Sequence, residues 1–423
     1  MTLPDEVDVY LDGPGGPELV GNLRPSYTGG RSLASASFQY SRAYLDSARA
    51  YAVSPDLPLA PGRTFTEENT TIFGAFADAS PDEWGQKIIE ANHAVRLKSD
   101  PSLPRRIGAF DYLLGVSDFA RMGALRMRAP DGEWLTSDTA VAGLHDLDEV
   151  LAVTSRYEEH RATDEDVAYL SGIATSPGGA RPKANVMTAS GRLAIAKLPH
   201  SKDGNLDAEG WEAVALTLAQ RAGIRTAHFA ARRVSSDRSI LISERFDRDE
   251  NGARRGYISA ATALGIGAHD DRRVTYEEFA DTIAELSADP VHDLHEMFRR
   301  IALTVLINNV DDHWRNHGFL RSDRGWRLAP AFDVNPSPRR GTTMSRAISD
   351  QDNPAHRAIE NLLLTAGSYT LKPDEAAAII GAVASKIAEW PAIALGLGIA
   401  EEQVSAMSAA FDAEHLTRAL SLR

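Results

Sequence analysis

The 423-residue chain contains no cysteine, which excludes disulfides, thiolate metal sites and cysteine nucleophiles together. It has no uninterrupted apolar run near the roughly 18 residues that a membrane span needs. The first ten residues, Met1–Tyr10, carry three acids and no basic residue, so no export signal is expected. No membrane partner is expected, and a cytoplasmic address is the reading that follows. Basic charge is in deficit: 45 Lys and Arg against 59 Asp and Glu leave a net charge of −14, which argues against a broad basic surface for nucleic acid. Internal repeats and low-complexity tracts are also missing. What is present is ordinary for a globular protein, with 43% hydrophobic and 25% charged residues and length enough for two or three domains.

The chain opens with apolar residues alternating against acidic and polar ones from Val7 to Leu11, then a Pro14-Gly15-Gly16-Pro17 turn and a return through Val20–Leu23. This reads as a small β-rich module. Ser80-Pro81-Asp82-Glu83 places Ser80 at a helix N-cap, Pro81 at the first turn and Glu83 three residues on, which predicts a helix through Trp84, Ile88 and Ile89. Asp118–Arg126 reads as a turn into a strand. The pattern weakens around 129–145, where a boundary is placed. Leu147–Val153 reads as helix and Glu158–Glu165 as a charged stretch, either solvated or mobile.

Beyond that point the residues carry chemistry. Ser176-Pro177-Gly178-Gly179-Ala180-Arg181-Pro182-Lys183 is a glycine-rich loop closed by a lysine. Such loops suit phosphates, because backbone N–H groups approach closely where no Cβ intervenes. Val186–Thr188 and Arg192–Leu198 follow as a hairpin, so this is not a Walker A loop, which a helix would follow. Lys197 is a lone cation in the apolar run Leu193–Leu198, and a cation on such a strand needs an anionic partner. Two are available: Glu212, in the first turn of a helix placed at about 210–222, or nucleotide phosphate itself. Ser239–Ser243 is a strand that leads into Glu244-Arg245-Phe246-Asp247-Arg248. Phe246 there is either an adenine-stacking ring or core.

After helical spacing over Tyr276–Ile307, the chain reaches Asn308-Asn309-Val310-Asp311-Asp312-His313-Trp314-Arg315-Asn316-His317. Asp311 and Asn316 stand five residues apart, and Phe332-Asp333 follows with Asp333 seventeen residues beyond Asn316. This is the layout of phosphoryl transfer of the protein-kinase kind: an Asp that accepts the hydroxyl proton, an Asn five residues later and a further Asp for metal. Oxygen donors of this sort suit Mg²⁺, a hard cation. His313 reads as a structural residue that fixes the loop, Trp314 as packing, and Arg315 as a cation for the transferring phosphate. From Ala358 onward the pattern is all helical.

The order of parts is that of a kinase: glycine-rich loop, strand lysine, helical glutamate, linker, Asp-x-x-x-x-Asn and a later Phe-Asp. In wording, Ser176–Lys183, Ile195–Pro199, Glu212–Ile224, Glu244–Arg248, Asn309–Phe319 and Pro330–Asp333 resemble the HipA family of toxin–antitoxin serine/threonine kinases. Phe73–Ile89 and Ser117–Arg126 resemble that family's N-terminal subdomain. The resemblance implies an α+β, two-lobed protein-kinase-like fold, with a β-rich N-terminal lobe carrying an extra subdomain and a mostly helical C-terminal lobe. The implied division is 1–130 for the N-terminal subdomain, 131–248 for the N-lobe and 249–423 for the C-lobe.

By the same resemblance, Asp311 is the catalytic base and Asn316 and Asp333 are Mg²⁺ ligands. Lys197 contacts ATP phosphates, Lys183 with Gly178 and Gly179 approaches them from the loop, Glu212 orients Lys197, and Glu244 and Phe246 frame the adenine. Ser176 occupies the position that the family autophosphorylates to switch itself off. The implied partners are a HipB-like helix-turn-helix antitoxin, DNA mainly through that complex, and a protein substrate. Two departures stand out: Pro177 and Arg181-Pro182 stiffen the loop, and Tyr257–Thr262 differs from the best-known toxins. Alternatives are a phosphotransferase acting on a small molecule, a nucleotide-binding co-repressor with little turnover, and a metal-dependent hydrolase built on Asp311, Asp312, His313 and His317.

Overall fold

The alternation Val7-Asp8-Val9-Tyr10-Leu11 becomes strand β1 (Val7–Leu11), with Val7, Val9 and Leu11 buried, the period-two burial that a one-faced strand requires. In this computed structural model the described residues are 4–13, 15–68, 70–130, 132–136, 141–175, 179–267, 272–339 and 346–422. Ser176, Pro177 and Gly178 lie outside them. The chain divides into two units, Met1–Ser201 with Glu244–Asp270, and Lys202–Ser243 with Asp271–Arg423.

In the first unit β1 is followed by β2 (Glu18–Tyr27), β3 (Leu33–Tyr40), the short helix α1 (Arg42–Leu45) and β4 (Arg63–Phe65). Helices α2 (Gly74–Asp78), α3 (Glu83–Ser99) and α4 (Ala109–Gly115) precede β5 (Leu125–Arg128). The antiparallel sheet has the order β4-β3-β2-β1-β5. At Gly21 a Cβ would lie 2.2 Å from the Gln39 carbonyl oxygen, so only glycine lets β2 and β3 approach so closely. Phe38, Tyr40, Tyr44, Phe73, Phe76 and Phe110 fill the core beneath the sheet.

The helix announced at Ser80 begins three residues later. Its N-cap is Asp82, while the Ser80 hydroxyl donates back to the Phe76 carbonyl at 2.8 Å. Next come β6 (Ala142–Gly143), α5 (Leu147–Glu158) and α6 (Asp164–Ile173). The charged stretch read as solvated or mobile thus ends one helix and starts another. Thr163 caps α6 in a reciprocal box with Asp166, and Arg156 of α5 pairs with Asp166 at 2.5 Å. Strands β7 (Lys183–Met187) and β8 (Leu193–Lys197) form the expected hairpin, with β6 parallel to β7.

The second unit takes up the chain with α7 (Ala208–Arg221), β9 (Phe229–Arg233) and β10 (Ser239–Glu244), the last two antiparallel. The chain re-enters the first unit for β11 (Tyr257–Ser259) and α8 (Ala260–Ala263), where the Ser259 N–H donates to the Asp78 carboxylate at 2.7 Å. It then returns to the second unit as α9 (Tyr276–Leu286), α10 (Pro290–Leu306) and the hairpin β12 (Gly318–Ser322) and β13 (Gly325–Leu328). Thr275 and Glu278 form a capping box at α9, and Pro290 opens α10 where no N–H is needed.

Helix α10 is the axis of this unit, burying Leu294, Met297, Phe298, Ile301 and Leu303. Short helices follow as α11 (Ile359–Leu364), α12 (Pro373–Ile387), α13 (Trp390–Gly396), α14 (Glu401–Met407) and α15 (Ala413–Leu420). Pro373–Gly396 is long and apolar enough to cross a membrane by length and composition. It is nevertheless two helices, with Ile380, Val383, Ala384 and Ile387 buried in the protein. The β-rich first unit and mostly helical second unit are the α+β architecture that the sequence implied.

Candidate active site

Helix α10 ends at Leu306, and Asn308 takes a left-handed φ of 50°, which turns the chain out of the helix and into the loop carrying Asp311. Two anchors hold the turn. The Asn308 amide donates to the Ser337 and Arg339 carbonyls at 2.6 and 2.8 Å. Arg357 donates to the Asn309 carbonyl at 2.7 Å.

Asp311 reaches solvent. The protein mass around it still raises its pKa above the ordinary carboxylate value, reinforced by Asp333 and Asp312 and opposed by His313 and Arg346. Asp333 is therefore close enough to Asp311 for their charges to interact. The Asn316 amide nitrogen donates to the Asp311 backbone carbonyl at 3.0 Å, which leaves its oxygen, the atom a hard cation would take, outside that bond.

Asp333 adopts φ 56°, a left-handed backbone that is uncommon for a residue with a Cβ, although Asp tolerates it better than most. The segment that leads to it is braced. Arg300, itself paired with Glu296 at 2.8 Å, donates to the Ala329 carbonyl at 2.7 Å. The Ala331 N–H donates to the Arg225 carbonyl at 2.7 Å, and Arg225 donates to the Leu328 carbonyl at 2.9 Å. The Asn335 side-chain amide donates to the Asp333 carboxylate at 3.3 Å.

Under the loop lies a device that sequence reading did not find. Asp312 is buried; its carboxylate accepts from the Tyr276 hydroxyl and lies 3.0 Å from His317 Nε2. Burial alone would raise the Asp312 pKa, but His317, Tyr276 and Arg357 hold it down at about 2. The phenol of Tyr276 is pushed well above its usual value by burial and by Asp312. The buried histidine beside Asp312 is thus His317, whereas His313 is half-buried and its carbonyl accepts from the Asn316 N–H at 2.8 Å. Trp314 is packing, as expected, buried against Tyr276 at 5.5 Å and Phe279 at 5.2 Å. Arg315 is exposed. Glu212 is buried on α7 in this same unit.

The other candidates stand in the first unit. Lys183 and Lys197 are direct cross-strand partners in the β7–β8 hairpin, so two ammonium groups share one face. Like charges directly opposite disfavour a sheet, and the arrangement suits a ligand with several negative charges. Gly179 has φ 77°, and a Cβ there would stand 3.1 Å from the Lys183 ammonium. Its N–H donates to the Asp82 carboxylate at the head of α3, and Trp84 Nε1 donates to the Lys183 carbonyl at 3.1 Å. Glu244 ends β10, 3.5 Å from Arg192 Nε. Phe246 is half-buried, its ring 6.0 Å from that of Tyr257.

Among the described residues, no group of three or more His, Asp and Glu is arranged to hold a metal by protein ligands alone. With Asp312 and His317 engaged with each other, a hydrolytic metal centre built on them has little to stand on. An Asn and an Asp beside phosphate oxygens are instead an ordinary donor set for Mg²⁺.

Comparisons with known proteins show the family and the fold. Residues 175–390 match the family model of the HipA-like C-terminal domain, and residues 7–112 match that of the HipA N-terminal domain. A Sinorhizobium fredii protein called "Putative kinase Y4mE" is 25% identical over 326 residues, 70% of this chain and 71% of its own length. A Haemophilus influenzae "Putative kinase" is 31% identical over 109 residues, 23% of this chain and 32% of its own. Among solved structures, HipA of the Shewanella oneidensis MR-1 toxin–antitoxin system, in complex with HipB and operator DNA, superposes with a TM-score of 0.68 at 17% identity. That match covers 98% of this chain and 96% of the Shewanella chain.

Proposed function

Because this chain belongs to the HipA family, we propose that it is an ATP- and Mg²⁺-dependent protein serine/threonine kinase, the toxin of a toxin–antitoxin pair. The observation that carries the reading is the arrangement at the end of α10. Asp311, its pKa raised, stands with Asn316 tied to its own backbone and Asp333 within electrostatic reach on a left-handed, braced backbone. Supporting it, the lysine pair Lys183 and Lys197 gathers positive charge on one face of a hairpin next to a glycine-rich loop.

In this reading Asp311 accepts the proton of the acceptor hydroxyl, whose oxygen bonds to the γ-phosphorus as the bond to the β-phosphate oxygen breaks and ADP leaves. The raised pKa of Asp311 favours that role, since a base works best when its pKa approaches the operating pH. Asn316 and Asp333 would hold Mg²⁺, which neutralises phosphate charge when bound. Lys197 and Lys183, with Gly178 and Gly179, bind phosphates; Glu212 orients Lys197; Glu244 and Phe246 frame the adenine; Arg315 offsets charge on the transferring group. Ser176 is the autophosphorylation site, where a phosphate would add about two negative charges beside those of ATP and repel them. The functional division stays 1–130, 131–248 and 249–423.

The Shewanella HipA is found with HipB and operator DNA. We carry that partnership over: a HipB-like helix-turn-helix antitoxin binds this chain in the cytoplasm and supplies most of the DNA contact, which agrees with a net charge of −14. The acceptor class is tested by comparing phosphosites across the proteome after brief expression of wild type and Asp311→Asn. New protein phosphoserines or phosphothreonines in the wild type alone are expected. Their absence, with ATP still consumed, would move the acceptor to a small molecule.

A further inference from the structure

The strongest buried-charge cluster outside the catalytic loop lies where the chain leaves β10. Asp247 is fully buried, and Arg245 and Arg248 on either side of it are nearly so. Four hydrogen bonds converge on its carboxylate: two from Arg245 at 2.7 and 2.6 Å, one from Arg248 at 2.7 Å and one from the Gly123 N–H at 2.7 Å. Burial alone would raise its pKa, but the two arginines and the Gly123 N–H hold it far below the usual carboxylate range. The Asp247 carboxylate is ionised at any working pH, and with its two arginines the cluster carries a net positive charge.

The arginines do more than neutralise Asp247. Arg245 donates to the carbonyls of Ala120 and Arg121 at 2.8 and 3.2 Å. Arg248 donates to those of Phe119 and Arg121, both at 3.0 Å. Each partner belongs to the turn that joins α4 to β5 of the N-terminal sheet. That turn is rigid itself, because buried Arg121 donates to the Ala79, Leu113 and Val116 carbonyls at 3.3, 2.7 and 3.0 Å. On the other side, the Arg245 N–H donates to the Leu193 carbonyl of β8 at 2.9 Å. The linker is therefore fixed at once to the strand that carries Lys197 and to the subdomain that precedes the kinase core. Phe246 lies between two residues of this cluster and Glu244 directly before it.

We propose that Asp247 is a positioning residue for the nucleotide, locking the linker Glu244–Arg248 onto the turn 118–123 so that the N-terminal subdomain sets affinity for ATP. The inference rests on the reading of Glu244 and Phe246 as the adenine frame. It differs from that reading in making residues near 120, far ahead of the glycine-rich loop, part of what holds the base. A buried carboxylate shared by two cations is costly in itself, which is a reason to look for a role beyond stability.

The test uses the full chain and two variants. Asp247→Asn removes the charge, while Arg248→Lys keeps a cation beside Asp247 but loses the fork that reaches two carbonyls. Expected are a rise of about tenfold in KM for ATP with Asp247→Asn and about threefold with Arg248→Lys, with kcat within about twofold of wild type. The dissociation constant of a fluorescent ATP analogue should rise in step. Phe76→Leu, in the core of the same subdomain, serves as the control for plain destabilisation. If both variants keep the wild-type KM, or if Phe76→Leu raises KM equally at equal loss of melting temperature, the proposal is overturned. Should Asp247→Asn fail to fold, Arg248→Lys decides alone. A wild-type protein that binds the analogue but transfers no phosphoryl group sinks the kinase reading, and the lock is then judged by the dissociation constants. One that binds no analogue sinks both.

Discussion

Asp311 and Asp312 are neighbours in sequence with opposite surroundings, and the contrast supports the roles proposed for them. One reaches solvent and has its pKa raised; the other is buried and has its pKa held down by His317, Tyr276 and Arg357. Environments that push two carboxylates apart separate the group that moves a proton from the group that holds a shape. Tyr276→Phe removes the hydroxyl that Asp312 accepts from while leaving the ring that packs on Trp314. It should lower stability by about 1–3 kcal/mol and reduce kcat more than it changes KM for ATP. Thermal unfolding and steady-state kinetics check the two halves. None of this was legible locally: Tyr276 and Asp312 are 36 residues apart, and the residues around His313 and His317 give no sign of which imidazole is buried.

Elements were legible where hydrophobic spacing was strong and each cap served its own helix. The β7–β8 hairpin, α7, α9 and α10 follow from apolar period and turn residues, whereas Lys183, read as the end of the glycine-rich loop, is the first residue of β7 and pairs with Lys197. Helix α6 was missed because its first turn, Asp164-Glu165-Asp166, looks like a solvated run. Those acids in fact face the N-terminal end of the helix dipole and supply the capping box. Helix α3 was placed too early because Asp82, its N-cap, gives its carboxylate to the N–H of Gly179, 97 residues away.

The Asp166–Arg156 tie makes a pH prediction at this scale. Arg156 and the Thr163 N–H lower the pKa of Asp166 to about 2, below the unfolded value of about 4. The folded pKa is depressed, so the stability it contributes is fully present above about pH 4 and lost as pH falls through the folded value. The gap in melting temperature between wild type and Asp166→Asn should be widest near neutrality and shrink as pH is lowered from 5 to 3. Circular dichroism melts at several pH values read this directly, and a gap independent of pH would contradict the assignment.

At the scale of the molecule, the sequence announced a kinase by the order of its parts more than by any one of them. The residues that brace those parts were invisible. Arg300 and Arg225 hold the approach to Asp333, Arg357 holds the start of the catalytic loop, and Arg245, Asp247 and Arg248 hold the linker. Each also reaches the main chain, at a carbonyl or at the N–H of Gly123, and a contact to the main chain demands little of the partner's side chain, so the sequence does not say what these residues hold. With that bracing in place, the account stands on Asp311 as base and on a divalent cation at Asn316 and Asp333. The most direct test is transfer of labelled γ-phosphate from ATP by purified wild type and Asp311→Asn, with Mg²⁺ and after its removal by chelation. The account predicts Mg²⁺-dependent labelling of protein by the wild type and a loss of at least about a hundredfold in the variant. Equal labelling by Asp311→Asn, or labelling that survives complete removal of divalent metal, would contradict it.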